Sequence, residues 1–370
     1  MNPKVFAADI PLYTGLDAAD ATANPFFAGD SVVRSLNRAR LVAAQGVPPE
    51  WYGRTAGELL SARALADLAR EAAGALHLDP DAPDLLRALD QRFDSPPALA
   101  IAREAGRRLG AFLLMLHRGD AISRAARPDW GDAHWAFWAT VERVVVGGGL
   151  FAGRLGEAAV PAANEWLAGA GCPVAVERSP YGDAVALVGL ARHAPPDATR
   201  MILFDFGQTA VKRGAAVYRE GAVVEFTRFP ALPAPDLMVD GDPATSTRAH
   251  WAAMRELIVA CWRSVVATEA ARQTAVGLSI ATHLRDGHPF VTDHGPYSRL
   301  GILAPHLATF MRDDLAAALG SWRSFALLHD GLAAASTRAG ERRTVVLVLG
   351  TGIGAGYVPV GTGLREMRFG

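Results

Sequence analysis

The sequence predicts an α/β protein with two lobes, and three observations support this fold class. The chain has 370 residues, half of them hydrophobic, which is enough for two cores of ordinary domain size. Residues 200–230 alternate in the manner of strands, with a turn at Glu220 and Gly221 that predicts a three-stranded meander. Helical patterns and strands then alternate to about residue 328, which gives the order βββαβαβ. We expect a cleft between the two lobes.

The residues before the meander predict mostly helices. One is expected over about 31–45, and another over 55–70, where Thr55 and Glu58 form a capping box. Pro96 opens a third, with apolar residues on one face to Leu116. A buried strand at 141–146, a helix at 153–170, a strand at 174–177 and a helix at 183–193 complete this part.

Composition excludes several classes of protein. The formal net charge of −1 and the lack of a long basic run argue against a nucleic-acid partner. Cys172 and Cys261 are too few for a disulfide framework or a thiolate zinc cluster, so a reducing cytoplasm is the expected location. Asp9 interrupts any secretory signal at the N-terminus. The uncharged stretch 344–363 contains glycines and Pro359, which predict strand, loop and strand rather than a membrane span.

The segment 205–212 reads Asp-Phe-Gly-Gln-Thr-Ala-Val-Lys and predicts a hairpin that binds phosphate. Gly207, Gln208 and Thr209 form its turn, where backbone N–H groups and a hydroxyl can approach an anion. Asp205, at the strand end, can orient hydrated Mg²⁺, and Lys212 can offset negative charge. The alternative is an ordinary turn, since Asp-x-Gly is common in turns.

The second glycine-rich loop follows an apolar strand at 344–349. Its sequence from Gly350 is Gly-Thr-Gly-Ile-Gly-Ala-Gly, which formally matches a dinucleotide-binding pattern. That pattern requires a helix directly after the glycines, whereas Pro359 and Gly361 follow closely here. We therefore favour a phosphate loop between two strands, with Gly350, Thr351, Gly352 and Gly354 near the phosphates.

Asp330 follows the apolar strand 325–328 and begins a helix of small residues. A carboxylate at a strand end can accept the proton of a bound alcohol, although Asp330 can also be a simple helix cap. Gly147, Gly148 and Gly149 precede another helix and can let the backbone pack against a purine, or form only a tight turn. The tryptophans at 130–138 are interpreted as core, and the histidines at 283, 288 and 294 as a solvated loop without a metal-ligand spacing.

Together these segments resemble the ROK family of sugar kinases, within the actin-like ATPase and hexokinase superfamily. Residues 205–209 look like its first phosphate motif, and 350–354 are similar to its second. His329-Asp330-Gly331 resembles its Asn-Asp catalytic turn, 144–149 its adenosine motif, and 181–189 its last helix. The resemblance covers most of the chain from about 55 to 360, and it implies ribonuclease-H-like lobes.

The order of these motifs departs from the family. The glycine triplet and last helix come at its C-terminus in ordinary members, whereas here they precede the first phosphate motif. We hypothesise a circular permutation, in which 195–198 join the old ends. The larger lobe would then be 1–198 completed by 331–370, and the smaller lobe 199–330.

The resemblance implies an ATP-dependent kinase that phosphorylates a hydroxyl of a sugar or sugar-like polyol, with Mg²⁺. Asp330 would be the general base, and Asp205 would lie near Mg²⁺. The family's zinc-binding cysteines and Glu-x-Gly-His segment are missing, so hexose specificity and structural zinc are not carried over. Substrate contacts are expected at Thr282, Asp293, Asp330 and Glu366.

Two other functions stay open at this point. The family includes repressors, so a non-catalytic sugar or nucleotide sensor is one alternative, although residues 1–55 do not resemble a winged helix-turn-helix. An ATP-binding protein that has lost transfer is the other. Dimers are frequent in the family, which leaves a homodimer open.

Overall fold

The computed structural model describes residues 10–14, 24–28, 34–43, 47–235, 242–290, 295, 297–320, 322–361 and 363–369. Its strands are β1 (Leu12–Tyr13), β2 (Arg143–Gly147), β3 (Ala175–Arg178), β4 (Arg200–Phe206), β5 (Ala210–Arg219), β6 (Ala222–Pro233), β7 (Thr274–Ile280), β8 (Leu284–Arg285), β9 (His288–Pro289), β10 (Phe325–His329), β11 (Thr344–Leu349), β12 (Ile353–Tyr357) and β13 (Glu366–Met367).

The helices are α1 (Pro25–Ala28), α2 (Ala56–Leu60), α3 (Ala62–Glu71), α4 (Ala73–Leu76), α5 (Leu85–Asp90), α6 (Pro96–Arg118), α7 (Ala121–Ala125), α8 (Asp132–Thr140), α9 (Arg154–Gly169), α10 (Val185–Ala191), α11 (Pro243–Val265), α12 (Leu307–Leu319) and α13 (Asp330–Ala335). Short 3₁₀ segments occur at Pro49–Trp51, Gly182–Ala184, Thr268–Gln273, Ser298–Ile302 and Ser336–Arg338. None of the helices in these described parts is long and apolar enough to cross a membrane.

The chain divides into two compact units, each assembled from separate segments. Unit 1 comprises Met1–Asp20, Ala186–Gly340 and Pro359–Gly370, and unit 2 comprises Ala21–Val185 and Glu341–Val358. Each unit has its own sheet. The α/β class is therefore confirmed.

Unit 1 contains a mixed seven-stranded sheet in the order β1-β10-β7-β4-β5-β6-β13. The hairpins β4–β5 and β5–β6 form the predicted meander, and β7 and β10 run parallel to β4. With α11 before β7 and α12 before β10, the predicted order βββαβαβ is confirmed. Met254, Ile258 and Met311 from these helices are fully buried in one core with sheet residues.

Unit 2 contains a four-stranded sheet in the order β12-β11-β2-β3. β2 runs parallel to both β11 and β3, and β12 forms an antiparallel hairpin with β11. This hairpin confirms the predicted strand, loop and strand, and it excludes the helix that a dinucleotide-binding loop requires. The tryptophans Trp130, Trp135 and Trp138 are buried, as predicted for core residues.

The boundaries of the units differ from the predicted lobe boundaries at 198 and 330. The structure places them after Val185 and Gly340, and assigns the last segment to unit 1. One reason is that α10 packs closely on α13, since a Cβ added at Gly189 would lie 1.7 Å from the carbonyl oxygen of Ala333. The last segment is held by the Arg365 N–H, which donates to the Arg192 carbonyl at 2.8 Å.

Two helix predictions are also corrected. The described residues 34–43 of the helix expected at 31–45 are mainly extended and turn structure, because Leu41 exchanges backbone hydrogen bonds with residues 53 and 54. The helix expected at 55–70 is two helices. Ser61 is extended and caps α3 by accepting from the Ala64 N–H, which separates α3 from α2.

Candidate functional site

The carboxyl ends of β4, β7 and β10 lie side by side in unit 1. Phe206 pairs with Ile280, and Ile280 pairs with His329, so residues that follow these strands reach the same edge of the sheet. Asp205 comes from the end of β4, and Asp330 follows β10 directly. The parallel register thus brings the two predicted carboxylates to one edge.

Asp205 is buried, with 4% of its surface exposed, and both of its carboxylate oxygens have partners. The Ser279 hydroxyl donates to Oδ1 at 2.7 Å, and the Lys212 ammonium lies 3.0 Å from Oδ2. Register explains both contacts, since Asp205 pairs with Lys212 across the hairpin and with Ser279 on β7. Lys212 therefore neutralises the buried carboxylate, which makes its burial tolerable.

The hairpin turn between β4 and β5 contains Gly207, Gln208 and Thr209, as predicted. The Gly207 N–H donates to the carbonyls of Asp205 and Ala210, while Gln208 and Thr209 are exposed. The Tyr297 hydroxyl donates to the Gly207 carbonyl at 2.7 Å. This bond fixes the turn from a segment that lies ninety residues away in the sequence.

The pKa of the Tyr297 hydroxyl responds to both Asp205 and Asp330. Burial raises the pKa of its hydroxyl, and the negative charges of Asp205 and Asp330 raise it further. The Tyr297 ring lies 5.2 Å from the His250 ring on α11. Tyr297 therefore remains a neutral hydrogen-bond donor within the electrostatic influence of both carboxylates.

Asp330 is held in its ionised form. Burial opposes ionisation, but the neighbouring His329 ring, the Gly331 N–H and the Lys212 charge together lower the pKa of Asp330 below its usual range. The His329 Nε2 lies 2.9 Å from Oδ1, and the Gly331 N–H donates to the same oxygen at 2.7 Å. The carboxylate is therefore available as a base at neutral pH.

The remaining predicted substrate contacts have three different outcomes. Thr282 follows β7 and is 2% exposed, and its hydroxyl has no hydrogen-bond partner within the described residues. Asp293 lies outside the described residues. Glu366 is wrong as a site residue, because β13 pairs with Ala222 at the start of β6, which is the opposite end of the sheet from Asp205. Its carboxylate instead accepts a hydrogen bond from Arg368.

Four residues of this cluster were not predicted: Ser279, Tyr297, His283 and His329. The sequence signal for His329 was its position directly after the predicted strand 325–328. The interpretation of residue 283 as solvated loop is wrong, because its ring stacks on His329 with centroids 4.2 Å apart. Only the tertiary fold could reveal this stack.

The predicted glycine loops of unit 2 lie next to each other. Val348 pairs with Gly147, and the Leu150 N–H donates to the Leu349 carbonyl, so the two strand ends emerge side by side. Gly148 has a φ of +90°, and a Cβ there would lie 2.5 Å from the Leu349 oxygen, so only glycine fits.

The outer glycines of this edge have open space instead. A Cβ added at Gly149 or Gly350 would meet no atom within 4 Å, and Gly149 and Thr351 are exposed. Gly352 lies against Asn37, which exchanges two hydrogen bonds with Ile353, each 2.9 Å long. The open space beside Gly149 and Gly350 therefore leaves room for a ligand to approach this backbone closely.

The described carboxylates of unit 1 are too few to hold Mg²⁺ alone, so they fit Mg²⁺ only where water and nucleotide phosphates complete its coordination shell. The described residues contain no group of three or more His, Cys, Asp or Glu side chains that could hold a metal ion. Mg²⁺ commonly takes one or two carboxylates and completes its shell with water and substrate phosphates. Asp205 can supply one such carboxylate.

Comparison with protein-family models and with curated proteins found no match.

Proposed function

We propose that this chain is a cytoplasmic ATP-dependent kinase that phosphorylates a hydroxyl of a sugar or sugar-like polyol. The observation that carries the proposal is Asp330, an ionised carboxylate at the end of β10, next to the Asp205–Lys212 pair at the end of β4. The observed βββαβαβ order supports the ribonuclease-H-like and actin-like assignment. The circular permutation remains part of this proposal, and it is supported by the assembly of each unit from separate segments.

The chain's own residues would divide the work as follows. Asp330 accepts the proton of the acceptor hydroxyl as its oxygen attacks the γ-phosphorus, and ADP leaves in line. The turn offers the backbone N–H groups of Gln208 and Thr209 and the Thr209 hydroxyl to the terminal phosphates. Asp205 would hold Mg²⁺, which offsets phosphate charge when bound. Lys212 forms an ion pair with Asp205 and adds positive charge beside it.

The glycine-rich edge of unit 2 would bind nucleotide. Gly350, Thr351, Gly352 and Gly354 would take phosphate oxygens, and Gly147, Gly148 and Gly149 would let the backbone approach adenosine. The open space beside Gly149 and Gly350 supports this assignment. Thr282 would contact the substrate, and its buried hydroxyl without a hydrogen-bond partner among the described residues supports this role.

The test is ATP consumption with Mg²⁺ against a panel of hexoses, amino sugars and cyclitols, with Asp330→Asn as the matched variant. We expect acceptor-dependent ADP formation with one class of polyol. In the variant we expect a fall of about 10²- to 10⁴-fold with nucleotide affinity nearly unchanged, because only the base is lost. Unchanged turnover in Asp330→Asn would reduce this residue to a helix cap. Nucleotide binding without turnover on any acceptor would favour a sensor.

A further inference from the structure

The two hydrogen bonds to the Asp330 carboxylate converge on one of its oxygens. His329 Nε2 and the Gly331 N–H both contact Oδ1, at 2.9 and 2.7 Å. No described residue donates to Oδ2. An ionised carboxylate can only accept hydrogen bonds, so His329 must carry its proton on Nε2 and donate it. Oδ2 is therefore the oxygen left for an incoming hydroxyl.

His329 is itself held in place by a second histidine. The His283 ring stacks on it at 4.2 Å with an interplanar angle of 30°. Only 11% of the His329 side chain is exposed, and it lies at the end of β10, whose backbone is fixed by pairing with β7. The imidazole therefore has little freedom to turn away from Asp330.

We propose that His329 and His283 are positioning residues for the transfer, with His329 fixing the Asp330 carboxylate so that Oδ2 receives the acceptor proton. This inference rests on the proposed kinase function. In the step, the acceptor O–H bond breaks, its proton goes to Oδ2, a new O–P bond forms and the bond to ADP breaks. The proton then leaves Asp330 for solvent, and His329 keeps its own proton throughout.

The surrounding charges agree with this division of roles. Lys212 on β5 acts on Asp330 from one side, and the neutral Tyr297 hydroxyl lies near both Asp330 and Asp205. His283 faces His329 on the side of the β7–β8 connection.

The test is the pH profile of kcat/KM for the acceptor in His329→Leu, His329→Gln and wild type. Loss of the donor removes an interaction that favours the ionised carboxylate, so the pKa of Asp330 rises. The acid limb of the His329→Leu profile should therefore move to higher pH by about one to two units. The plateau kcat should fall about ten- to a hundredfold with KM for ATP unchanged. His329→Gln retains an N–H donor and should recover part of both effects.

His306→Leu is the matched control, because it makes the same change at an exposed histidine outside the cluster. Its profile should coincide with that of wild type. For the stack, His283→Phe keeps an aromatic face and His283→Ala removes it, so the alanine variant should show the larger shift of the acid limb.

The outcomes separate this inference from the proposed function. If wild type transfers phosphate and Asp330→Asn does not, but the His329→Leu profile keeps the wild-type acid limb, the kinase assignment stands and the positioning role is overturned. If wild type shows no transfer with any acceptor, both are overturned. Direct NMR titration of the Asp330 carboxyl in wild type and His329→Leu should show the same displacement as the kinetic profile.

Discussion

The two units carry candidate sites of opposite kinds at the ends of their parallel strands. In unit 1 the edge is built from side chains: Asp205, Lys212, Tyr297 and Asp330 lie close enough to perturb one another. In unit 2 the corresponding edge is built from backbone, because Gly147, Gly148 and Gly149 lie beside the loop at 350–352.

This difference teaches which mutations should affect chemistry and which should affect folding. A side-chain site can lose a charge with little change to the backbone around it. A glycine edge has no side chain to lose, so the effect of a substitution depends on the space around the added Cβ. Substitutions at the unit 1 site should therefore lower activity. Substitutions at the glycine edge of unit 2 should lower stability or ligand affinity.

The largest effect is expected for Asp205→Asn. The substitution keeps the volume but removes the negative charge that faces Lys212 and that would hold the proposed Mg²⁺. Transfer should fall by about a hundredfold or more, as steady-state ADP formation would show. Ser279→Ala removes only the 2.7 Å hydrogen bond to Oδ1 and should cost less than Asp205→Asn.

Glu366→Gln is the control for this pair, because it makes the same kind of change at the opposite end of the same sheet. It should leave transfer unaltered. Equal losses of transfer in Asp205→Asn and Glu366→Gln would mean that transfer depends on the net charge of unit 1 rather than on the position of the Asp205 carboxylate.

The next effect concerns two neighbouring glycines of unit 2. In Gly148→Ala, the new Cβ would meet the Leu349 backbone at 2.5 Å at a φ of +90°, so the free energy of unfolding should fall by about 3 kcal/mol. In Gly149→Ala, the new Cβ enters open space, so stability should change by less than about 1 kcal/mol. Nucleotide affinity should nevertheless fall in Gly149→Ala if the ligand packs on that backbone.

Urea denaturation and nucleotide titration of both variants separate the two effects. Equal destabilisation would contradict the geometry of the glycine edge. Unchanged nucleotide affinity in a stable Gly149→Ala would remove this glycine from the proposed binding surface.

The comparison also shows what the sequence can reveal. Strand ends are visible as apolar runs that stop at a polar or glycine residue, so Asp205, Asp330 and the loop at 350–352 were predicted correctly as strand-end features. The capping box of Thr55 and Glu58 likewise predicted the start of α2. These signals are local, and local backbone preferences carry them.

The parts that the sequence did not reveal depend on contacts between distant segments. The Tyr297 bond to Gly207 and the stack of His283 on His329 join residues far apart in the chain, and no local pattern marks them. The position of Glu366 was not predicted for the same reason, since the parallel pairing of β13 with β6 places it at the end of the sheet opposite Asp205. Ser61 was read as helix interior, because its capping of α3 competes with a continuous helical pattern.

The effect that is smallest at neutral pH tests whether the reliance of unit 1 on buried titratable side chains extends to its stability. His193 is buried, and burial together with the nearby Arg192 charge lowers its pKa to about 3. Ser336 Oγ donates to the Leu332 carbonyl and lies 2.9 Å from His193 Nε2, so the neutral ring donates to Ser336. In the unfolded chain the ring takes up a proton near its ordinary pKa of about 6.5. The contribution of the neutral ring to stability is therefore full above that pH and is lost progressively as pH falls from about 6.5 to about 3, by up to about 1.4 kcal/mol per pH unit.

His193→Gln keeps an N–H donor without titrating, so its free energy of unfolding should fall less steeply over this window in urea denaturation at pH 8, 6, 5 and 4. Parallel pH dependences of the two proteins would show that another group carries the acid sensitivity.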